Sequence, residues 1–227
     1  MKNIIWNPAG HIYDGCISTL YGEEIDLPAQ DAHTNIINTL IKHRQYSSYL
    51  EIGTARGRCF SKIECAVKVG VDPTPSAIST HKMTSDVYFE THHDTFDVIF
   101  VDGLHLGEQV RKDVENALLR LNEGGIILTH DCFPPSLHAE RKESCGTSWR
   151  GFVHHRQNVD LDAITMAADY GLGFIVRGAN PLPITLPDTL SWQDLVDNKS
   201  EWSRLTQPDD AMLWLEDKLP SFTYQKS

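Results

Sequence analysis

The chain predicts an α/β fold: a doubly wound, Rossmann-like sheet, mostly parallel, with a final antiparallel strand. Three observations lead there. Four short runs, 47–52 (SSYLEI), 67–72 (VKVGVD), 96–102 (FDVIFVD) and 125–130 (GIILTH), are near-continuously apolar rather than alternating. Strands read this way when both faces of a parallel sheet are covered. Helix-like stretches separate them, and strand–helix–strand alternation winds into a single sheet. Finally, LDAITMAAD and GLGFIVRG are joined through a short Tyr-Gly turn region, which makes them a hairpin and supplies the antiparallel strand.

The elements follow in order. Residues 31–44 form a cover helix through Ile36, Ile37, Leu40 and Ile41. A second helix is predicted over 57–66, with Phe60, Ile63 and Val67 on one side. A third runs through LGEQVRKDVENALLRLNEGG, where Leu106, Val110, Val114, Ala117, Leu118 and Leu121 fall at helical spacing and Gly124–Gly125 supply the stop. TSWRGFVHHRQ reads as helical. Beyond residue 180 the composition shifts to Pro181, Pro183 and Pro187, then Trp192, Trp202 and Trp214 among polar residues. The expected organisation is therefore one domain over 1–180 and a helical tail over 181–227 packed on it by its tryptophans.

A chain of 227 residues, 41% hydrophobic, suffices for one sizeable core. No run approaches 18 apolar residues, so no membrane partner is expected. The start, MKNIIWNPAGHIYDG, does not read as a secretory signal. Cys16, Cys59, Cys65, Cys132 and Cys145 are scattered, with no CxxC pair, and fit free thiols in a cytoplasmic protein. The formal charge of −11 and the lack of a dense Lys/Arg run argue against nucleic acid and for a small-molecule ligand. Homo-oligomerisation stays open.

YLEIGTARG places Gly53 and Gly57 after the first core strand, where the ligand crevice of a doubly wound sheet lies. About twenty residues on, Asp72 ends the next strand and can accept the hydroxyls of a ribose. The spacing is E-x-G-x-x-x-G, not the G-x-G-x-x-G of a dinucleotide site, and a pyrophosphate disfavours a nearby carboxylate such as Glu51. A sulfonium, an α-amino group and a ribose diol match these residues better than NAD.

The stretches YLEIGTARG, VGVDP, MTSDVYFE and FDVIFVDGLHLGEQVRKDVENALLRLNEGGIILTHDCFPP together resemble the class I S-adenosylmethionine-dependent methyltransferases. Within them the chain is similar to the bacterial small-molecule and sugar group that includes macrocin O-methyltransferase and cephalosporin-hydroxylase-like proteins. The resemblance covers about residues 47–180 and rests most on DVIFVDGLH and GGIILTHDC. It implies that Glu51, Gly53, Thr54 and Gly57 border the methionine part of the cofactor and that Asp72 holds the ribose. Ser85 and Asp86 would meet the adenine edge at the end of a third strand. Asp102 would sit near the methionyl amine or the transferring methyl. The group's Gly-Asp-Val-Trp helix start is Gly146, Thr147, Ser148, Trp149 here, so the family acid is replaced by Thr147.

Methyl transfer from a sulfonium to a hydroxyl needs alignment and a base for the proton. His105, three residues after Asp102, is the expected base, with His130 and Asp131 flanking the acceptor. Related O-methyltransferases hold magnesium with acids at these strand ends. The positions here offer Asp102, His130 and Asp131 beside Cys132, a poor match to an ion that prefers oxygen, so no metal is assigned although a softer ion could use the histidine. His92–His93 and His154–His155 are neighbours that do not share a face and make no metal site alone. Trp149 and Phe152 are either pocket wall or core. The reading is thus an enzyme that methylates a small molecule, a sugar or secondary-metabolite hydroxyl. The alternatives are a metal-dependent hydroxylase-like or NAD-binding enzyme on the same fold, or a non-catalytic cofactor-binding protein. The acceptor itself is set by residues 1–30, 133–147 and the tail.

Overall fold

The computed structural model describes residues 5–7, 10–12 and 16–222, with side chains from Ile17 onward. The stretch read for a leader, the Cys16 thiol and the first part of the acceptor-setting 1–30 segment therefore lie largely outside the described residues.

Two antiparallel ribbons come first: β1 (Ile5–Asn7) with β2 (Gly10–Ile12), and β3 (Cys16–Leu20) with β4 (Glu23–Leu27). The cover helix α1 (Ala32–Arg44) follows, then β5 (Ser48–Ile52), β6 (Val67–Val71), α2 (Ser85–Thr91), β7 (Phe96–Val101), α3 (Gly107–Leu118), β8 (Leu121–Thr129) and α4 (Ser148–His155). The hairpin β9 (Leu161–Met166) and β10 (Leu172–Arg177) leads into a tail of α5 (Trp192–Asp197), α6 (Lys199–Trp202), β11 (Leu205–Thr206) and α7 (Pro208–Lys218).

Seven strands form one sheet in the order β11-β9-β10-β8-β7-β5-β6. The pairs β5–β6, β5–β7 and β7–β8 are parallel, and β10 runs antiparallel to both β8 and β9. The order reverses at β5, since the chain steps to β6 on one side and then returns to β7 on the other. A crevice opens at such a reversal, beyond the carboxyl ends of the strands.

Alternation along the strands separates two cores. Tyr49, Val98, Phe100, Ile126 and Leu128 face α1, β3, β4 and α7, where they meet Ile36, Leu40, Leu27 and Leu215. Leu50, Ile52, Ile99 and Ile127 face α2, α3, α4 and the front of the tail, where they meet Phe89, Val114, Trp149 and Leu195. Trp149 and Phe152 are fully buried and belong to this second core, not to a pocket wall. Cys59, Cys65, Cys132 and Cys145 are free thiols. No helix among the described residues is long and apolar enough to cross a membrane.

Three expectations are corrected. Residues 57–66 do not form an α-helix: one 3-10 turn, Phe60–Lys62, buries Phe60 and Ile63 as the pattern requires, while Val67 is exposed. Ala55 and Gly57 take positive φ (43° and 71°), which a right-handed helix cannot absorb. Gly124 and Gly125 do not stop α3, which ends at Leu118; they lie inside β8, where the register against β7 shifts between Phe96 and Val98. Gly124 has φ 71°, and a Cβ on Gly125 would stand 2.6 Å from the Asp97 carbonyl oxygen, so the pair builds a bulge. The strand expected before Ser85 is absent among the described residues: an isolated bridge, Val71 with His81, takes its place, and Thr84 caps α2.

The tail is held by Arg156, a fully buried guanidinium with neutral partners. It donates to the carbonyls of Trp202 (3.3 Å), Leu182 (2.8 Å) and Glu201 (3.4 Å) and to Asn180 Oδ1 (3.2 Å). Arg156→Met keeps the stem and strands these acceptors, so urea unfolding should show a loss of about 3 kcal/mol. An unchanged midpoint would mean that the tail docks without it.

Candidate active site

The carboxyl ends of β5, β6, β7 and β8 frame a cavity of about 780 Å³, a volume within the usual range for small-molecule sites. Its floor is set by a main-chain contact. Gly53, at φ 91°, follows β5 and donates to the Val71 carbonyl (2.8 Å), while the Asp102 N–H after β7 donates to the Ile52 carbonyl (2.9 Å). A Cβ on Gly53 would stand 2.1 Å from the Asp102 carbonyl oxygen, so only glycine allows the two loops to meet.

Asp72, 6% exposed, borders one end of the cavity. Its Oδ2 accepts from the Ala55 N–H and its Oδ1 from the Thr74 N–H, both at 2.8 Å. Each oxygen keeps a lone pair for a ligand hydroxyl. Ser85 and Asp86 line the adjacent wall at the start of α2. Asp86 pairs with Lys112 (2.8 Å), which holds its carboxyl below the usual range, and Gln109 Nε2 bridges it (3.0 Å) to Ser85 Oγ (3.3 Å).

At the other end four side chains converge. Asp102 Oδ1 lies 3.5 Å from His105 Nε2 and 3.3 Å from His130 Nδ1; Asp131 lies 3.5 Å from each of the same nitrogens. Burial acts to raise the Asp102 pKa, but the His130 charge and the hydrogen bonds from both histidines win and hold it far below its ordinary value. His105 moves the other way, up to about 9: the Asp102 hydrogen bond dominates, burial opposes it and Asp131 adds to it. For His130, burial lowers the pKa and the two carboxylates more than reverse it. His105 Nδ1 also donates to the Ser144 carbonyl, tying it to the loop over the cavity.

The structure therefore brings Gly53, Asp72, Ser85, Asp86, Asp102, His105, His130 and Asp131 to one cavity. Glu51, Thr54 and Gly57 do not line it. Glu51 shares the strand face of Tyr49, whose hydroxyl donates to it at 2.5 Å, so its carboxylate looks toward α1 and away from the cavity. Thr54 is buried behind the turn, its methyl against Gly70, and Gly57 packs against Ile78 and Ser61. Thr147, in the place of the family acid, accepts from the Gly107 N–H (2.9 Å) and caps α3. Neither histidine pair joins the site: His92 stacks on Tyr88, and His155 is buried with its pKa pushed down to about 4 by burial.

Several participants escaped the sequence. Gln109, Glu143, Cys145 and Tyr170 line the cavity, and His33 and Asp169 stand behind it. A polar residue within a helix and an Asp-Tyr-Gly turn carry no sign of convergence; only DYG, as a turn, marked the place.

Two sets of side chains could hold a metal ion: Asp102–His105–Asp131 and His33–His130–Asp169, each with donor atoms within 4.8 Å of one another. In the first, 3.5 Å between imidazole and carboxylates is at the long end for a hydrogen bond and also close to the edge of a shell with bonds of about 2.1 Å. That set, with one nitrogen, suits a borderline cation better than magnesium.

Residues 64–132 match a family described as methyltransferase domain. No curated protein matches the chain. Among solved structures it resembles a protein described as a caffeoyl-CoA O-methyltransferase from Staphylococcus aureus, with 17% identity, a TM-score of 0.54 and coverage of 67% of this chain and 86% of that one. The S-adenosylhomocysteine-bound methyltransferase PaMTH1 of Podospora anserina matches at 16% identity and a TM-score of 0.50, over 64% and 78% of the two chains. The O-methyltransferase TomG of Streptomyces achromogenes, involved in tomaymycin synthesis and solved with S-adenosylmethionine, gives 16%, 0.50, 68% and 82%.

The chain has the class I methyltransferase fold, and its residues 64–132 match a methyltransferase domain. At these identities the likeness to solved structures is one of fold, and the chemistry of this chain must be read from its own residues.

Glu51 is a measurable example. Burial dominates and lifts its pKa from 4.5 to about 7 against the hydrogen bond from Tyr49. A carboxyl with a raised folded pKa destabilises as pH climbs from 4.5 to about 7, because the unfolded chain ionises first. Glu51→Gln should thus gain stability over wild type across that window, by up to about 3 kcal/mol above it. Urea midpoints at pH 5 and pH 8 would measure it; an equal difference at both would refute the shift.

Proposed function

We infer that the protein transfers a methyl group from S-adenosylmethionine to an oxygen of a small molecule. What carries the reading is one cavity that offers a buried, doubly hydrogen-bonded carboxylate at one end and a carboxylate–imidazole cluster at the other. Asp72 takes the ribose hydroxyls, and Ser85, Asp86 and Gln109 face the adenine. Asp102 meets the positive methionyl end. His105 is the base for the acceptor hydroxyl, with His130 and Asp131 on either side of it.

The electrostatics suit this division. With two carboxylates at 3.5 Å, His105 is cationic in the empty cavity, and a sulfonium brought against Asp102 competes with that charge and favours the neutral imidazole. Displacement at carbon then needs only alignment and removal of one proton. The acceptor is a sugar or other metabolite hydroxyl, placed by the 133–147 loop, whose Glu143, Ser144 and Cys145 line the cavity. A second reading is favoured by the Asp102–His105–Asp131 set: those residues would hold a divalent cation, which when bound would polarise the acceptor oxygen.

Calorimetric titration with S-adenosylmethionine, S-adenosylhomocysteine and NAD tests the donor site. Both sulfur nucleosides should bind in the micromolar range or tighter, and binding by neither would overturn the reading. Asp72→Ala should weaken binding at least tenfold. His105→Ala should bind the donor as wild type does yet transfer tritiated methyl to hydroxyl compounds about 100-fold more slowly; full activity would remove His105 as base.

A further inference from the structure

His130, at the acceptor end, is held from behind. Its Nε2–H donates to Asp169 Oδ1 at 3.2 Å, while its Nδ1 faces Asp102 (3.3 Å) and Asp131 (3.5 Å). Asp169 is 1% exposed and absent from the cavity wall. Its second oxygen, Oδ2, accepts from His33 twice, from the ring Nδ1–H at 2.7 Å and from the main-chain N–H at 3.1 Å. The His33 ring, itself buried, stacks on Phe100 (4.8 Å) and meets His130 edge-on (5.1 Å).

The backbone is bent to make this possible. Asp169 and Tyr170 take φ of 52° and 59°, and Asp131, across from them, takes 59°. Such conformations cost on the order of 1 kcal/mol or more each for residues with a Cβ and persist only where the surroundings impose them. Here the Cys132 N–H donates to the Gly171 carbonyl (2.8 Å) and the Phe133 N–H to the Tyr170 carbonyl (2.9 Å), locking the β9–β10 turn to the end of β8. A Cβ on Gly171 would stand 2.2 Å from the Phe133 nitrogen.

We propose that Asp169 is a positioning residue of the methyl-transfer centre: anchored by His33, it fixes the ring of His130 between two carboxylates so that Nδ1 is presented to Asp102 and Asp131. This rests on the cavity's reading as a methyl-donor site. The hydrogen-bond arrangement is preferred to a metal site at His33–His130–Asp169 because the main-chain N–H of His33 shares the same carboxylate oxygen as its ring, and every polar contact already falls at hydrogen-bond length.

The test uses the full chain labelled with ¹⁵N-histidine, with [methyl-¹³C]S-adenosylmethionine as the probe. Wild type should show a His130 Nε2–H resonance protected from solvent, and exchange should be at least tenfold faster in Asp169→Asn. The bound methyl resonance should shift in that variant while the cofactor's affinity stays within twofold, since Asp169 does not itself line the cavity. A merely structural role would leave the methyl resonance where it is. If Asp169→Asn does not fold, His33→Gln, which keeps the main-chain donor, should speed the exchange at least threefold. Unchanged exchange and methyl resonance in a folded variant would overturn the proposal. So would a stoichiometric transition metal in wild type that Asp169→Asn loses. Failure of the cofactor to bind wild type would instead refute the donor-site reading and leave the His130 exchange measurement standing.

Discussion

The close approach of Gly53 to the main chain of Asp102 is the contact on which the site depends. It joins the loops after β5 and β7 where the strand order reverses, and there is no room for a side chain: a Cβ would fall 2.1 Å from the Asp102 carbonyl oxygen. Because the loops meet, Asp72 from β6 and the Asp102–His105–Asp131–His130 cluster from β7 and β8 open onto one cavity instead of two surface notches. The glycine thus serves the architecture of the cavity before it serves any ligand.

The second organising feature is charge compensation. Asp102 sits between two imidazoles, which offset the penalty of its burial, and Asp131 reaches both of the same rings. Such an arrangement is ready to exchange one positive charge for another. On the proposed function a sulfonium donor would do so on entering, and a divalent cation held by Asp102, His105 and Asp131 would do the same. Asp169, outside the cavity, keeps His130 oriented through either exchange.

Much of this was legible in the sequence for plain reasons. Near-continuous apolar runs announced β5, β6, β7 and the core of β8, and helical spacing announced α1 and most of α3. Acids at the ends of successive strands, Asp72 and Asp102, needed only the sheet's topology to be placed on one crevice. The failures have a common origin in backbone that apolar pattern cannot register. Gly57 and Gly124 take positive φ, so one segment read as helix is a loop with a single 3-10 turn and a presumed helix stop is a bulge. Glu51, assigned to the ligand from its place before the glycine, shares the Tyr49 face by period-two alternation, a position that the apolar pattern does not register either. His33 and Asp169 are 136 positions apart and meet only through the docking of α1 against the β9–β10 turn, an event with no local trace.

A crystal structure of the protein with S-adenosylhomocysteine tests the central claim most directly. The ribose hydroxyls should lie within hydrogen-bond distance of the Asp72 carboxylate, with the sulfur at the end of the cavity that holds Asp102, His105 and Asp131. A nucleoside bound with its ribose away from Asp72, or its sulfur at the opposite end of the cavity, would contradict it.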